Sequence, residues 1–136
     1  CEQDSAIVRK TTIGYAIHFL TDLHQPLHLT GKERGGNWSH LEGKSLHFIW
    51  DTLLPRHLLA QPPFHGRINR LVLYLRKQTV RQEGGSVLGW AGQVNRLNCL
   101  GGIWEHAADL ETYLIFHRPL LIELFGQAAS RIASIL

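Results

Sequence analysis

The sequence predicts an all-α fold, and three observations carry the prediction. Apolar residues recur at helical spacing along most of the 136 residues. Prolines and glycine pairs punctuate the chain where helices should stop. No internal repeat, low-complexity tract or disordered linker interrupts the pattern. At 44% hydrophobic and 136 residues, the chain has material for one core, so residues 1–136 are expected to form a single domain.

The elements follow in order. Ile13, Ala16, Ile17, Leu20 and Leu23 mark the first helix, which should end near Gln25-Pro26 because a residue before proline avoids the helical region. Gly31, Gly35, Gly36, Asn37 and Gly43 make residues 29 to 45 a long loop with room for a short hairpin. A second helix opens near Ser45 and carries Leu46, Ile49, Trp50, Leu53 and Leu54 to Pro55. Gln61-Pro62-Pro63 breaks the chain, and a third helix runs from about Gly66 to Arg81. Gly84-Gly85 and Gly101-Gly102 bracket a fourth, and two more are expected on either side of Pro119.

Composition narrows the function only slightly. A net charge of +3 does not by itself call for a nucleic-acid partner. No stretch reaches the ~18 apolar residues of a membrane span. Cys1 and Cys99 can pair with each other or with partners elsewhere. There is no methionine and no leader precedes Cys1, as expected of a processed or partial chain. Nine histidines are about three times the ordinary share, so their spacing is what matters.

That spacing singles out residues 18–51. His18 and Asp22 lie four apart on the first helix, and His47 and Asp51 repeat the interval on the second. His28 follows the proline break, where the chain can approach from another direction. Imidazole nitrogen and carboxylate oxygen are zinc ligands, and His28, His47 and Asp51 would leave one tetrahedral position open, as in a catalytic site. A lone His/Asp pair is ordinarily a solvated helix face. Two pairs and a third histidine around a glycine-rich loop weaken that reading, but spacing alone leaves both open.

The residues then show a resemblance. HFLTDLHQPLH (His18 to His28), ERGGN (Glu33 to Asn37) and SLHFIWDT (Ser45 to Thr52) resemble the zinc-dependent single-strand nucleases of fungi and plants, the S1/P1 type. That family is related to bacterial zinc phospholipase C. The likeness is strong over roughly residues 12 to 54, and the ending GQAASRIASIL also resembles the family's last helix. It implies a helical fold holding three zinc ions and hydrolysis of single-stranded DNA and RNA to 5′-phosphorylated products. It also implies 3′-nucleotidase activity and secretion. Carried over by position, His18 would bind one zinc of a close pair and Asp22 would bridge that pair as the catalytic carboxylate. His28, His47 and Asp51 would hold the remaining zinc, and His24 would not be a ligand. Activation of water and stabilisation of the leaving oxygen by clustered zinc would explain a site with no nucleophilic Ser or Cys.

The departures are specific. Thr21 and Ser45 stand where the family usually has Gly and Asn. The family's N-terminal tryptophan and its early His and Asp ligands have no counterpart here, so about one complete zinc site is expected, with impaired cleavage. Asn37 and Trp38 are candidate substrate contacts, Trp38 through base stacking worth about 1–3 kcal/mol. Packing within the loop is the competing reading for Trp38. Arg9, Lys10, Lys32 and Arg34 could steer phosphate or simply be solvated. Trp50, Trp90 and Trp104 read as core, and His40, His57, His65, His106 and His117 as surface or packing residues. Cys99 reads as half of a cystine, because the family is secreted. Asn37-Trp38-Ser39 also fits the glycosylation pattern. Three functions remain: a nuclease, a non-hydrolysing zinc- or nucleic-acid-binding relative, and a phospholipase or phosphomonoesterase on the same scaffold. A helical bundle with coincidental histidines is the structural alternative.

Overall fold

The computed structural model describes residues 2–77, 85–105 and 109–135. Within them the chain is helical, with one two-stranded ribbon. Helix α1 spans Glu2–Asp22 and passes into a 3-10 turn, Pro26–Leu29, in which Pro26 takes the first-turn position where its missing N–H costs nothing. The single turn α2, Glu33–Gly36, leads to strands β1 (His40–Leu41) and β2 (Lys44–Ser45), which pair antiparallel with His40 opposite Ser45. Helix α3 (Leu46–Phe48) starts at Ser45, whose hydroxyl accepts from the Phe48 amide as an N-cap. A π turn, Ile49–Leu53, joins it to α4, Leu54–Ala60. Then come α5 (Ile68–Lys77), α6 (Val87–Leu100) and α7 (Leu110–Ile135). None of the described helices is long and apolar enough to cross a membrane.

Two proline stops expected from the sequence do not occur. Pro55 does not end the second helix. The preceding turn widens, with the Leu54 amide reaching back five residues to the Ile49 carbonyl, and Pro55 then enters α4 in its first turn. The expected pair of C-terminal helices is one helix, α7, running through Pro119. A mid-helix proline costs about 3 kcal/mol. Burial of Tyr113, Leu114 and His117 before it, and of Leu121, Leu124 and Ala128 after it, offsets that cost on both sides of the interruption. The third helix begins at Ile68 rather than Gly66, and its expected end at Arg81 lies outside the described residues.

The core gathers Leu27, Leu46, Ile49, Trp50, Leu54 and Leu58 against Tyr113, Leu114, Leu121 and Leu124 of α7. The 3-10 turn, the π turn and α4 are therefore anchored on the longest helix. Helix α1 differs. Only Leu20 of its expected apolar stripe is buried, while Ile13 and Ile17 remain exposed together with Val8, Tyr15 and Phe19. It has apolar residues on opposite sides, and it packs against α7.

His117 is packed into this core against Trp50 and Tyr113, with its Nδ1 unpartnered among the described residues. Burial pushes its pKa from 6.5 down to about 4. The unfolded chain therefore binds the proton more readily. The stability from a neutral His117 is complete above pH 6.5, falls as pH drops towards 4, and changes no further below that. The loss amounts to about 3 kcal/mol. Urea titrations between pH 7 and 4 are expected to show it, and His117→Phe is expected to make the slope shallower, leaving the share that belongs to His24. A variant with the parental slope would rule out this origin.

Candidate metal centre

The three histidines and two aspartates singled out by spacing meet in one cluster. His18 and Asp22 come from the last turns of α1, His28 from the 3-10 turn, His47 from α3 and Asp51 from the π turn. They form an alternating array of imidazoles and carboxylates. His18 Nε2 lies 3.6 Å from Asp22 Oδ2, and Asp22 Oδ1 lies 3.7 Å from His28 Nδ1. His28 Nε2 is 3.4 Å from Asp51 Oδ1, and Asp51 Oδ2 is 3.1 Å from His47 Nε2. The His28 and His47 rings sit 5.1 Å apart, centroid to centroid.

His28, His47 and Asp51 fit a metal ion. Each offers a donor atom within 4.8 Å of the other two. Ligands on a tetrahedral ion with bonds near 2.1 Å are about 3.4 Å apart, and the His47 Nε2 to Asp51 Oδ2 separation of 3.1 Å is of that order. The tautomer of His47 also suits the role. Its Nδ1 lies 2.8 Å from the Gly35 carbonyl, which can only accept, so Nδ1 carries a proton and Nε2, facing Asp51, is the nitrogen left to bind an ion. The two imidazoles are partly sheltered, with side chains 26% and 27% exposed. His18 and Asp22 are more open, at 62% and 45%. Among the described residues these two do not belong to a group of three that could hold an ion.

The glycine loop positions His47 through its backbone. Glu33, Arg34, Gly35 and Gly36 all have positive φ, so α2 is a turn in the left-handed region. Glycine adopts that conformation freely, whereas Glu33 and Arg34 hold it at a cost of about 1–3 kcal/mol each. A Cβ on Gly35 would lie 2.9 Å from the Leu27 carbonyl, so this position excludes side chains both by φ and by space. The ERGGN string is thus the means by which a carbonyl reaches an imidazole twelve residues later.

His24 has a different task. It is buried, its Nδ1–H donates to the Leu20 carbonyl over 2.6 Å, and its Nε2 accepts from Arg131 Nη1 over 2.8 Å. Desolvation lowers its pKa, the Leu20 carbonyl raises it and Arg131 lowers it further. A neutral histidine with both nitrogens occupied ties the end of α1 to α7.

The groove beside the centre has a volume of about 610 Å³ and is lined by Phe19, Asp22, His28, Arg34 and His47 among others. Trp38 contacts Arg34 of its own loop yet leaves most of its ring to solvent. It is 64% exposed, with the Arg34 guanidinium 5.1 Å from its ring centroid. Asn37 donates from its side-chain amide to the Arg34 carbonyl within the same loop. Trp50 and Trp90 are buried, and Trp104 is half-buried beneath Lys32. Cys99 is exposed, with no cystine partner among the described residues, and Cys1 and His106 lie outside them. His57 faces Glu111 at 3.2 Å.

Sequence reasoning missed two participants, Gln25 and the Gly35 carbonyl, whereas Arg34, one of the residues considered for phosphate steering, does line the groove. Gln25 and Gly35 stood within the recognised strings, but their roles depend on partners distant in the chain.

Comparison with known proteins adds a second line of observation. The family model "S1/P1 Nuclease" matches residues 2–136. Nuclease S1 of Aspergillus oryzae is 42% identical over 47 residues, 32% of this chain and 16% of that protein. The aligned stretch is thus a small part of the relative's length. No solved structure matches the chain.

Proposed function

The chain belongs to the S1/P1 nuclease family, and on that footing we propose that it is a zinc-dependent phosphodiesterase acting on single-stranded DNA and RNA. The observation that carries the reading is the convergence of His28, His47 and Asp51, with His47 already in the ligand tautomer. Zinc held there would supply Lewis acidity towards a phosphate ester and activate the attacking water. The chain's own residues do the rest. Asp51 and the two imidazoles present their donor atoms to one point. Arg34, on the same groove, is placed to pair with a phosphate, and the exposed Trp38 ring offers a face to an unstacked base. A duplex hides its base faces, which is the physical basis for a single-strand preference. Products carrying a 5′-phosphate and activity on 3′-nucleotides belong to the same proposal. So does secretion with Cys99 in a cystine, against which a free Cys99 thiol in protein recovered from culture medium would count.

One observation favours weak catalysis in this polypeptide. His18 and Asp22, proposed ligands of a close zinc pair with Asp22 as the bridging carboxylate, have no third ligand group among the described residues. Zinc-loaded protein is therefore expected to cut a single-stranded oligonucleotide below about 1 s⁻¹, the lower end of ordinary enzyme turnover. Chelation should abolish the cleavage, and a duplex should be cut more slowly. A rate above that bound would refute impairment. Zinc binding with no cleavage would instead support a non-hydrolysing relative, and release of headgroup from phosphatidylcholine would support the phospholipase reading.

A further inference from the structure

Gln25 stands immediately before Pro26, the first residue of the 3-10 turn, and its side chain is doubly engaged. Its Oε1 accepts from the Leu27 amide over 2.6 Å, capping the 3-10 turn that carries His28. Its Nε2 donates to Asp51 Oδ1 over 2.8 Å, across 26 residues of sequence. The orientation of the amide follows from its partners, since a backbone N–H can only donate and an ionised carboxylate can only accept. One planar group therefore links the turn of His28 to the carboxylate of Asp51. Asp51 Oδ1, the oxygen nearer His28, is the one held, while Oδ2 faces His47 Nε2 at 3.1 Å.

We propose that Gln25 is a positioning residue of the metal centre, which holds Asp51 by Oδ1 so that Oδ2 is presented to an ion between His28 and His47. The inference rests on the metal centre proposed above. An exposed carboxylate rotates readily about its terminal torsion, and Asp51 sits in a π turn rather than in regular helix. Without a fixed donor, the ordering of that carboxylate would have to be supplied when the ion binds. Partners of this kind commonly change metal affinity by about 10- to 100-fold when removed.

The two contacts of Gln25 can be separated by one substitution. Gln25→Asn shortens the side chain by one methylene, so its amide falls short of Asp51. Asparagine still bonds the backbone two residues on, as in an Asx turn, and keeps the Leu27 cap. Zinc affinity would be measured by chelator competition for the parent, Gln25→Asn, Asp51→Ala and the double variant, with far-ultraviolet circular dichroism confirming the fold. Gln25→Asn is expected to weaken binding about 10- to 100-fold. In the Asp51→Ala background the same change is expected to have no further effect, because the contact acts through Asp51. Gln25→Met, nearly isosteric and lacking the amide, provides a second variant if Gln25→Asn does not fold. Parental affinity in the folded variant, or an equal loss in the Asp51→Ala background, would overturn the proposal while leaving the metal centre intact. A parent that binds no zinc would overturn both.

Discussion

His47→Ala is expected to strip the protein of tightly held zinc. Elemental analysis of the purified parent should find about one ion per chain, and the variant should hold almost none after dialysis. Structural zinc sites bind with about 10–16 kcal/mol across four ligands, or roughly 2.5–4 kcal/mol per ligand, so losing one lowers affinity by about 10²–10³-fold. His47 is the most informative ligand to remove because its orientation is preset. The Gly35 carbonyl holds Nδ1 and leaves Nε2 as the donor, so the alanine variant loses a ligand that needs little ordering. The variant should keep its helical circular dichroism, since His47 is only partly buried and the neighbouring Leu46 and Ile49 carry the packing. Equal zinc in parent and variant would place the metal elsewhere, and none in either would leave the array as ion pairs alone.

Trp50→Ala is expected to be the most destabilising single truncation beside the site. Trp50, between His47 and Asp51 in sequence, is buried, packs its ring at a tilt against His117 and donates its Nε1–H to the Tyr113 hydroxyl over 2.9 Å. Tyr113 passes the chain on by donating to the Ile103 carbonyl over 2.8 Å, and burial lifts its own pKa to about 12. Emptying that space should cost about 3–5 kcal/mol, with about 1 kcal/mol more for the lost hydrogen bond. For a chain of this length the melting temperature should fall by roughly 10–20 °C. Trp38→Ala is the natural comparison, because its ring is mostly exposed and its loss should stay within about 0.5 kcal/mol. Similar melting points for the two variants would mean that the Trp50 ring does not anchor the π turn on α7.

Much of this protein was legible in its residues. Helical periodicity, the Ser45 cap, the Pro26 break and the Gly-rich loop are local properties, governed by interactions within about four residues, and each appears where the pattern put it. The i, i+4 pairs of histidine and aspartate are local in the same sense. The matched strings named the family because their order and spacing are specific in combination. Where local rules misled, packing intervened. Pro55 and Pro119 read as stops, yet a π turn absorbed the first and core burial on both sides carried α7 through the second. The apolar stripe marked α1 as a helix, but periodicity reports only that a helix has an apolar face and says nothing of what covers it.

What only the tertiary structure decided is which atoms meet. Sequence placed histidines and carboxylates on two segments. It could not say that His28 would turn Nδ1 to Asp22 and Nε2 to Asp51, or that Gly35 would set the tautomer of His47. Nor could it say that Gln25 would clasp Asp51, or that His24 would be spent on Arg131. The reason is physical. Residue type and spacing determine which face of an element a donor occupies, whereas ligand geometry depends on how elements far apart in the chain pack against a shared core. Here that core is the one formed by Leu27, Leu46, Ile49 and Trp50 against α7.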